Sequence, residues 1–146
     1  MTRPDQFGRN RLLSTRGRLL IASFVCLAIV ACKGNGERAA TATAQAWLTA
    51  IDMGDYAQSW TVAAPYLQRA VTQAQWDASM NGMRKPLGKV LSRTTRSTTA
   101  TTCALNDPCV VIETDASFEN RQTAIETITV MPVSDGQWKV AGYYIK

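Results

Sequence analysis

The chain has 146 residues, of which 46% are hydrophobic and 18% charged, so it is long enough for one domain with one core. Its formal net charge is +5, but five of its 16 basic residues lie within the first 18 positions, against a single acid. Removal of residues 1–31 would leave 11 Lys and Arg against 10 Asp and Glu, a balance that argues against a nucleic-acid partner.

An apolar run, residues 19–31, follows the basic segment. As a helix of 13 residues it would be about 20 Å long, which is shorter than the ~30 Å hydrocarbon core of a bilayer. A basic segment before a short apolar run is typical of a secretory signal peptide. The sequence therefore predicts export rather than a membrane-spanning helix.

The run ends in Ile29-Val30-Ala31-Cys32, which resembles the bacterial lipobox, where the Cys is acylated and becomes the new N-terminus. The resemblance implies a signal peptide at 1–31, a lipidated Cys32 with a flexible tether at 32–38, and a domain at 39–146. Lys33 is not the Asp that commonly retains such proteins in the inner membrane, so the periplasmic face of the outer membrane is expected. An ordinary cleaved signal peptide with an incidental Cys, or a retained anchor, are the alternatives.

Two further cysteines, Cys103 and Cys109, lie within the domain. In an oxidising compartment we expect them to form a disulfide, since Asn106-Asp107-Pro108 supplies turn residues between them. So short a loop predicts a bridge that fixes the end of a hairpin rather than one that holds the domain together. A redox-active or metal-binding pair is the alternative, but the spacing differs from CxxC and the chain contains no His.

The first half of the domain predicts four helices. Apolar residues recur at helical spacing over residues 37–53, and Gly54 would end this helix. Asp55, Pro65 and Thr72 are each suited to begin a further helix, as an N-cap, a first-turn proline and the start of a capping box.

After Gly88 the hydrophobic period changes to two, which predicts strands. The predicted strands cover residues 90–103, 109–118, 122–130 and 138–146. The first is rich in Thr and predicts an exposed or edge strand. The last predicts a central strand, with Trp138, Val140 and Tyr144 on one face and Ala141, Tyr143 and Ile145 on the other. The fold class is therefore α+β, with N-terminal helices packed on one face of a curved four-stranded antiparallel sheet.

Five segments carry a resemblance to a known family, at residues 46–60, 75–76, 84–93, 117–130 and 135–146. Together they resemble the bacterial family called domain of unknown function 4019, over about residues 39–146. The resemblance implies a cystatin-like or nuclear transport factor two-like architecture and a secreted or lipid-anchored setting, but no activity. Domains of this architecture often dimerise through the sheet, which leaves a homodimer open.

Glu126 stands out because it shares a predicted strand face with Ala124, Ile128 and Val130. A carboxylate on an apolar face is desolvated unless it is paired. We predict a structural ion pair with Arg84 or Arg93, which bracket the junction between the last helix and the first strand. Exposure at an open sheet face and a catalytic acid or base are the alternatives.

The lack of His removes the commonest general base near neutral pH and most metal chemistry. We therefore expect no enzyme, no cofactor and no metal site, with Glu126, Asp115, Tyr143 and Tyr144 as the remaining catalytic candidates. The aromatic residues either build the core or line a ligand pocket, and they are Trp47, Trp60, Trp76, Trp138, Tyr56 and Tyr144. A group of basic residues predicts a solvated face, with anionic headgroups or an acidic partner as the alternative, and its members are Arg84, Lys85, Lys89, Arg93 and Arg96.

Three functions remain in competition at this level. The first is a non-enzymatic lipoprotein, attached to the membrane by its anchor, whose domain binds an envelope protein or another envelope component. The second is a protein with a small-molecule pocket. The third is a hydrolase or isomerase that uses a pocket carboxylate.

Overall fold

The computed structural model of the protein describes residues 20–103 and 106–146. The basic segment of the predicted signal peptide, residues 1–18, lies outside the described residues, and the lipidation of Cys32 stays a prediction. The chain divides into two compact units, residues 1–33 and 34–146. Within the described part of the chain, no helix has both the length and the apolar character needed to cross a membrane.

Four α-helices precede the sheet: α1 (Leu20–Asp52), α2 (Tyr56–Thr61), α3 (Pro65–Ala70) and α4 (Gln73–Met83). A turn of 3₁₀-helix, Lys85–Leu87, follows them. In the uncut chain α1 also includes residues 32–38, where the sequence predicts a flexible tether. The flexible tether is predicted for the chain that remains after cleavage, so it stays a prediction.

The predicted helix signals are confirmed. Asp55 caps α2 by accepting a hydrogen bond from the backbone N–H of Gln58 at 3.0 Å. Thr72 and Gln75 form the capping box of α4. Gly54 has a φ of 75° just after α1 ends, a left-handed conformation that glycine adopts without steric cost.

The sheet consists of β1 (Val90–Thr102), β2 (Pro108–Phe118), β3 (Arg121–Pro132) and β4 (Trp138–Ile145). Each strand pairs antiparallel with the next, in the order β1-β2-β3-β4. The predicted α+β class with a four-stranded antiparallel sheet is therefore confirmed, and β1 is an edge strand as expected. The prediction that the last strand is central is wrong, because β4 forms the opposite edge.

The predicted faces of β4 are also wrong, because the strand contains a β-bulge. Where β3 advances from Thr129 to Val130, β4 passes over Ala141, which is an extra residue. The alternation therefore shifts by one residue after the bulge. Tyr143 packs toward the helices, whereas Tyr144 lies on the opposite face with 57% of its surface exposed.

The main core lies between the helices and the facing side of the sheet. Its buried members from α1 and from the strands are Ala40, Ala44, Trp47, Leu48, Ile51, Val110, Ile112, Ile128, Val130 and Val140. All buried apolar residues of the second unit lie between Ala40 and Ile145. Residues 34–146 thus contain a complete core, and we expect them to fold without the first 33 residues.

A disulfide joins Cys103 to Cys109, as the sequence predicts. It links the segment just after β1 to the start of β2, six residues further along. Cys109 is buried in a small cluster with Ala64, Met131 and Ala141. The bridge therefore fixes the end of the first hairpin against the loop that leads into α3.

Candidate functional site

The most polar part of the domain interior is centred on Glu126. Because successive β3 residues point to opposite faces, Glu126 lies with Ala124 and Ile128 on the face that packs against the helices. Its side chain is fully buried, and Thr114 of β2 lies directly opposite. A buried carboxylate is costly unless its oxygens are paired, so its partners decide what the residue does.

Both carboxylate oxygens of Glu126 accept hydrogen bonds. Arg93 of β1 donates through Nε to Oε2 at 2.5 Å and through Nη2 to Oε1 at 3.0 Å. The hydroxyl of Tyr143 donates to Oε1 at 2.5 Å, and that of Thr114 donates to Oε2 at 3.3 Å. A bidentate contact between arginine and carboxylate fixes the relative orientation of the two side chains and also pairs their charges.

Arg93 also binds a second carboxylate, that of Asp52 at the end of α1. Its Nη1 and Nη2 donate to Oδ2 and Oδ1 of Asp52 at 2.8 and 3.0 Å. Arg84 donates to Oδ1 of Asp52 at 3.1 Å and to the carbonyl of Gly88 at 2.7 Å, and its guanidinium lies 4.5 Å above the ring of Phe118. We call Asp52, Arg84, Arg93, Glu126 and Tyr143 the charge network.

The charge network contains two guanidinium groups and two carboxylates. Burial works to lower the pKa of Arg93, but its contacts with Asp52 and Glu126 outweigh this and raise that pKa above its ordinary value. Burial works to raise the pKa of Asp52, but hydrogen bonds and charge from Arg93 and Arg84 outweigh it and hold the pKa below its ordinary value. Burial, reinforced by the adjacent Glu126, raises the pKa of Tyr143, so its hydroxyl remains a donor.

Because the pKa of Asp52 is lowered, we predict that the free energy of unfolding falls in acid. Since the folded pKa lies below the ordinary value of 3.8, the ionised carboxylate contributes fully above that value, and the contribution is lost as pH falls through the folded pKa. Asp52→Asn should be less stable than the wild type at neutral pH, and the two free energies of unfolding should converge below about pH 4. Urea titrations from about pH 2 to 7 measure this, and parallel curves would contradict it.

The arrangement holds its charged groups together rather than presenting them to a substrate. Every carboxylate oxygen of Asp52 and Glu126 accepts at least one hydrogen bond from a side chain of the domain. Arg93 and Asp52 retain only 18% and 22% of their side-chain surface. Within residues 34–103 and 106–146, no three His, Cys, Asp or Glu side chains cluster in a way that would hold a metal ion.

The structure brings some of the candidate site residues together and separates others. Arg93 contacts Glu126, whereas Arg84 pairs with Asp52 instead. Arg84 and Arg93 are largely buried, so the predicted basic face is not a continuous solvated surface. Asp52 was missed by sequence reasoning, although a carboxylate in the last turn of a helix opposes the helix dipole and thereby signals the need for a cationic partner.

A groove runs along the edge of the sheet where β4 meets α1 and α2, with a volume of about 620 Å³. Its apolar lining residues are Ala46, Trp47, Ala50, Val62, Trp138 and Val140. Its polar lining residues are Thr43, Gln58, Thr61, Gln137 and Lys139. We call this the α1–β4 groove.

The aromatic candidates for a pocket do not all share one, but Trp47 and Trp138 line the same groove. Trp47 lines the α1–β4 groove with the little of its side chain that is accessible. Trp60 is half-buried against the main core, and its Nε1 donates to the carbonyl of Val71 at 3.0 Å. Tyr144 lies on the other face of the sheet, because of the bulge in β4. Trp138, which the sequence also offered as a lining residue, forms part of the groove.

Comparison with known proteins gives one match. The model of a family described as protein of unknown function (DUF4019) matches residues 43–143, which is more than half of the chain. The matched region includes every residue of the charge network and every residue that lines the α1–β4 groove. A search of curated proteins gave no match.

Proposed function

The chain belongs to the DUF4019 family of unknown function, and we propose that it is an exported, lipid-anchored envelope protein whose domain binds a ligand and catalyses no reaction. One observation carries the non-catalytic role: the buried ionisable groups are committed to one another. A general acid or base must be within hydrogen-bond reach of a substrate proton, and the carboxylates of Glu126 and Asp52 are already occupied.

The mutual pairing within the charge network supports a structural role for it, with Nε of Arg84 the one buried atom of the network that has no hydrogen-bond partner among the described residues. A buried ion pair of this kind stabilises a fold only when its remaining polar atoms are satisfied, as they are for the oxygens of Glu126. Tyr143 then packs edge-on against Trp47, with 5.4 Å between ring centroids, so the network supports the wall of the α1–β4 groove from behind. The open, largely apolar groove is thus the part of the domain suited to a ligand.

Several features of the chain support export and anchoring. The basic segment and the apolar run form a signal peptide, and Ile29-Val30-Ala31-Cys32 places a Cys where a lipobox would have it. The disulfide between Cys103 and Cys109 fits an oxidising compartment. Lys33 after the Cys favours the periplasmic face of the outer membrane.

Metabolic labelling tests the anchor. The wild-type protein should incorporate radiolabelled palmitate and lose residues 1–31, whereas Cys32→Ser should incorporate none. Cys26→Ser is the matched control, because Cys26 lies within the segment to be removed, and it should label like the wild type. Absence of label from the wild-type protein would contradict the anchoring proposal.

Membrane fractionation tests the location. The wild-type protein should sediment with the outer membrane, and Lys33→Asp should move it toward the inner membrane. An unchanged distribution of the variant, or a wild-type protein in the soluble fraction, would contradict the proposed location.

A further inference from the structure

One edge of the sheet is open along a long strand. In the described part of the chain β1 pairs only with β2, so the other side of its 13 residues carries no strand. A free edge presents unpaired backbone N–H and C=O groups, which form a template for pairing with another chain. The opposite edge is shielded by the loop before α3, because the backbone N–H of Ala64 donates to the carbonyl of Val140 in β4 at 2.7 Å. The two edges of the sheet therefore differ in what they can bind.

The two halves of β1 also differ from each other. The half before Ser97 contains two β-bulges and both arginines of the strand. Bulges and charged side chains are devices that keep an edge strand from pairing with another chain. Residues 97–102 instead pair with β2 without a shift in register, and they are Ser, Thr and Ala, with no charge and no proline. Only this second half of β1 is therefore left open to a partner strand.

The geometry of this edge suits a second copy of the chain. Two identical strands pair antiparallel about a two-fold axis, and that axis must stand perpendicular to the sheet. The helices of both copies then lie on the same side of the enlarged sheet. Opposed side chains point to the same face, so the axis passes beside one residue, for which Thr99 is near the middle of the open half. Thr98 would then oppose Ala100 of the second copy, and no like charges would meet within residues 97–102.

The flank of α1 beside this edge is complementary in charge to itself. Glu37, Arg38 and Thr98 line one groove between α1 and β1, with a volume of about 470 Å³. Among residues 34–103 and 106–146, neither Glu37 nor Arg38 takes part in an ion pair. Because both α1 helices lie on the same side of the enlarged sheet, the two-fold axis brings Glu37 of each copy towards Arg38 of the other. One anion and one cation on this flank thus make two attractive contacts, which favours a second copy over a partner with charge of a single sign.

We propose that the domain forms a two-fold dimer in which residues 97–102 of β1 pair with the same residues of a second copy. The two four-stranded sheets then become one continuous sheet with all the helices on one side. Gly34 lines the same groove as Thr98, so both chains enter the dimer on that side, as two copies tethered to one membrane require. The pairing itself does not depend on the lipid anchor of the proposed function, which only raises the local concentration of the domain.

Analytical ultracentrifugation of residues 34–146, which contain the complete core and lack the anchor, tests the dimer. The wild-type domain should convert reversibly from monomer to dimer with a micromolar dissociation constant, because the contact is small. Thr99→Lys and Thr99→Glu each place like charges opposite one another across the axis, and each should weaken dimerisation by about tenfold or more. An equimolar mixture of the two variants should restore the dimer, since opposite charges then meet at the axis.

Two control variants locate the contact. Leu91→Lys changes a residue that is 65% exposed in the bulged half of β1, and it should dimerise like the wild type. Thr127→Lys changes the open face of the sheet, because Thr127 lies on β3 between Glu126 and Ile128, which face the helices, and it should also leave the dimer intact. A loss in either control equal to that of the Thr99 variants would place the contact elsewhere and overturn the proposal.

Other results would also overturn the dimer. A wild-type domain that stays monomeric up to about 1 mM would do so, which is the result expected if the edge instead receives an extended peptide. A mixture of the Thr99 variants that stays monomeric would show that the two copies do not meet at this residue. Cooperative thermal unfolding of each variant shows that it is folded, so a loss of dimer cannot be assigned to misfolding.

The outcome is independent of the anchor. Palmitate labelling of Cys32 together with a monomeric domain would remove only the dimer. Dimerisation of residues 34–146 without palmitate labelling of the full chain would remove the anchor and leave the pairing of the two β1 strands in place.

Discussion

Glu126→Ala should lower the free energy of unfolding by about 3 to 5 kcal/mol. The substitution removes the acceptor for both Arg93 and Tyr143 and leaves a guanidinium and a hydroxyl in a largely dry interior. The loss comes mainly from leaving these donors unpaired. When one partner of a buried ion pair is removed, the other stays buried without the interaction that offsets its desolvation. Urea denaturation at neutral pH of residues 34–146 measures the change.

The same sheet offers a control for this effect. Asp115 of β2 pairs with Arg96 at 3.2 Å, but the two side chains keep 54% and 49% of their surface. Asp115→Ala should cost no more than about 1 kcal/mol, because solvent screens an exposed pair. Equal losses in the two variants would show that burial of Glu126 is not what makes its pairing important.

Trp47→Ala should lower the free energy of unfolding by about 3 to 5 kcal/mol. Trp47 is buried between Trp76 and Tyr143, with ring centroids 6.0 and 5.4 Å away. Removing the indole would leave a cavity at the centre of the main core and deprive the carbonyl of Ser59 of its donor. Thermal and urea unfolding of residues 34–146 both report this loss.

Trp47→Phe separates packing from hydrogen bonding. It retains an aromatic ring but lacks the indole N–H, so the loss should fall to about 1 to 3 kcal/mol. A Trp47→Ala protein as stable as the Phe variant would contradict the view that aromatic packing dominates at this position.

One aromatic contact links the charge network to the α1–β4 groove. Tyr143 donates its hydroxyl to Glu126 on one side and packs its ring against Trp47 on the other. The charge network therefore holds in place a residue that supports the groove. Through Tyr143, the buried charges thus help to hold the aromatic side chain of Trp47 in position.

Much of the local structure follows from the sequence because its signals are local. Asp55, Thr72 and Gly54 act on backbone groups within one turn of a helix, and the structure places each in the predicted role. The antiparallel order of the sheet likewise follows from consecutive strands joined by short turns. The apolar neighbours of Glu126 on β3 indicated burial for the same reason, since alternation along one strand sets the face.

Other features depended on positions far apart in the chain. One extra residue, Ala141, reversed the faces of Tyr143 and Tyr144, and a bulge leaves no reliable mark in the hydrophobic pattern. Arg84 and Arg93 were equivalent candidates for Glu126, and only the folded structure shows that Arg93 contacts Glu126 while both arginines contact Asp52.

The sequence by itself determined the class of the fold, the positions of the helices and strands, the cysteine pairing and membership of the family, since each rests on local pattern or on similarity. Only the tertiary structure decided which charged side chains form ion pairs, which aromatic residues line the same groove and where that groove lies. These depend on how α1 packs against β4 and β1, and such packing is set by shape and distance among residues that are separated by 30 or more positions.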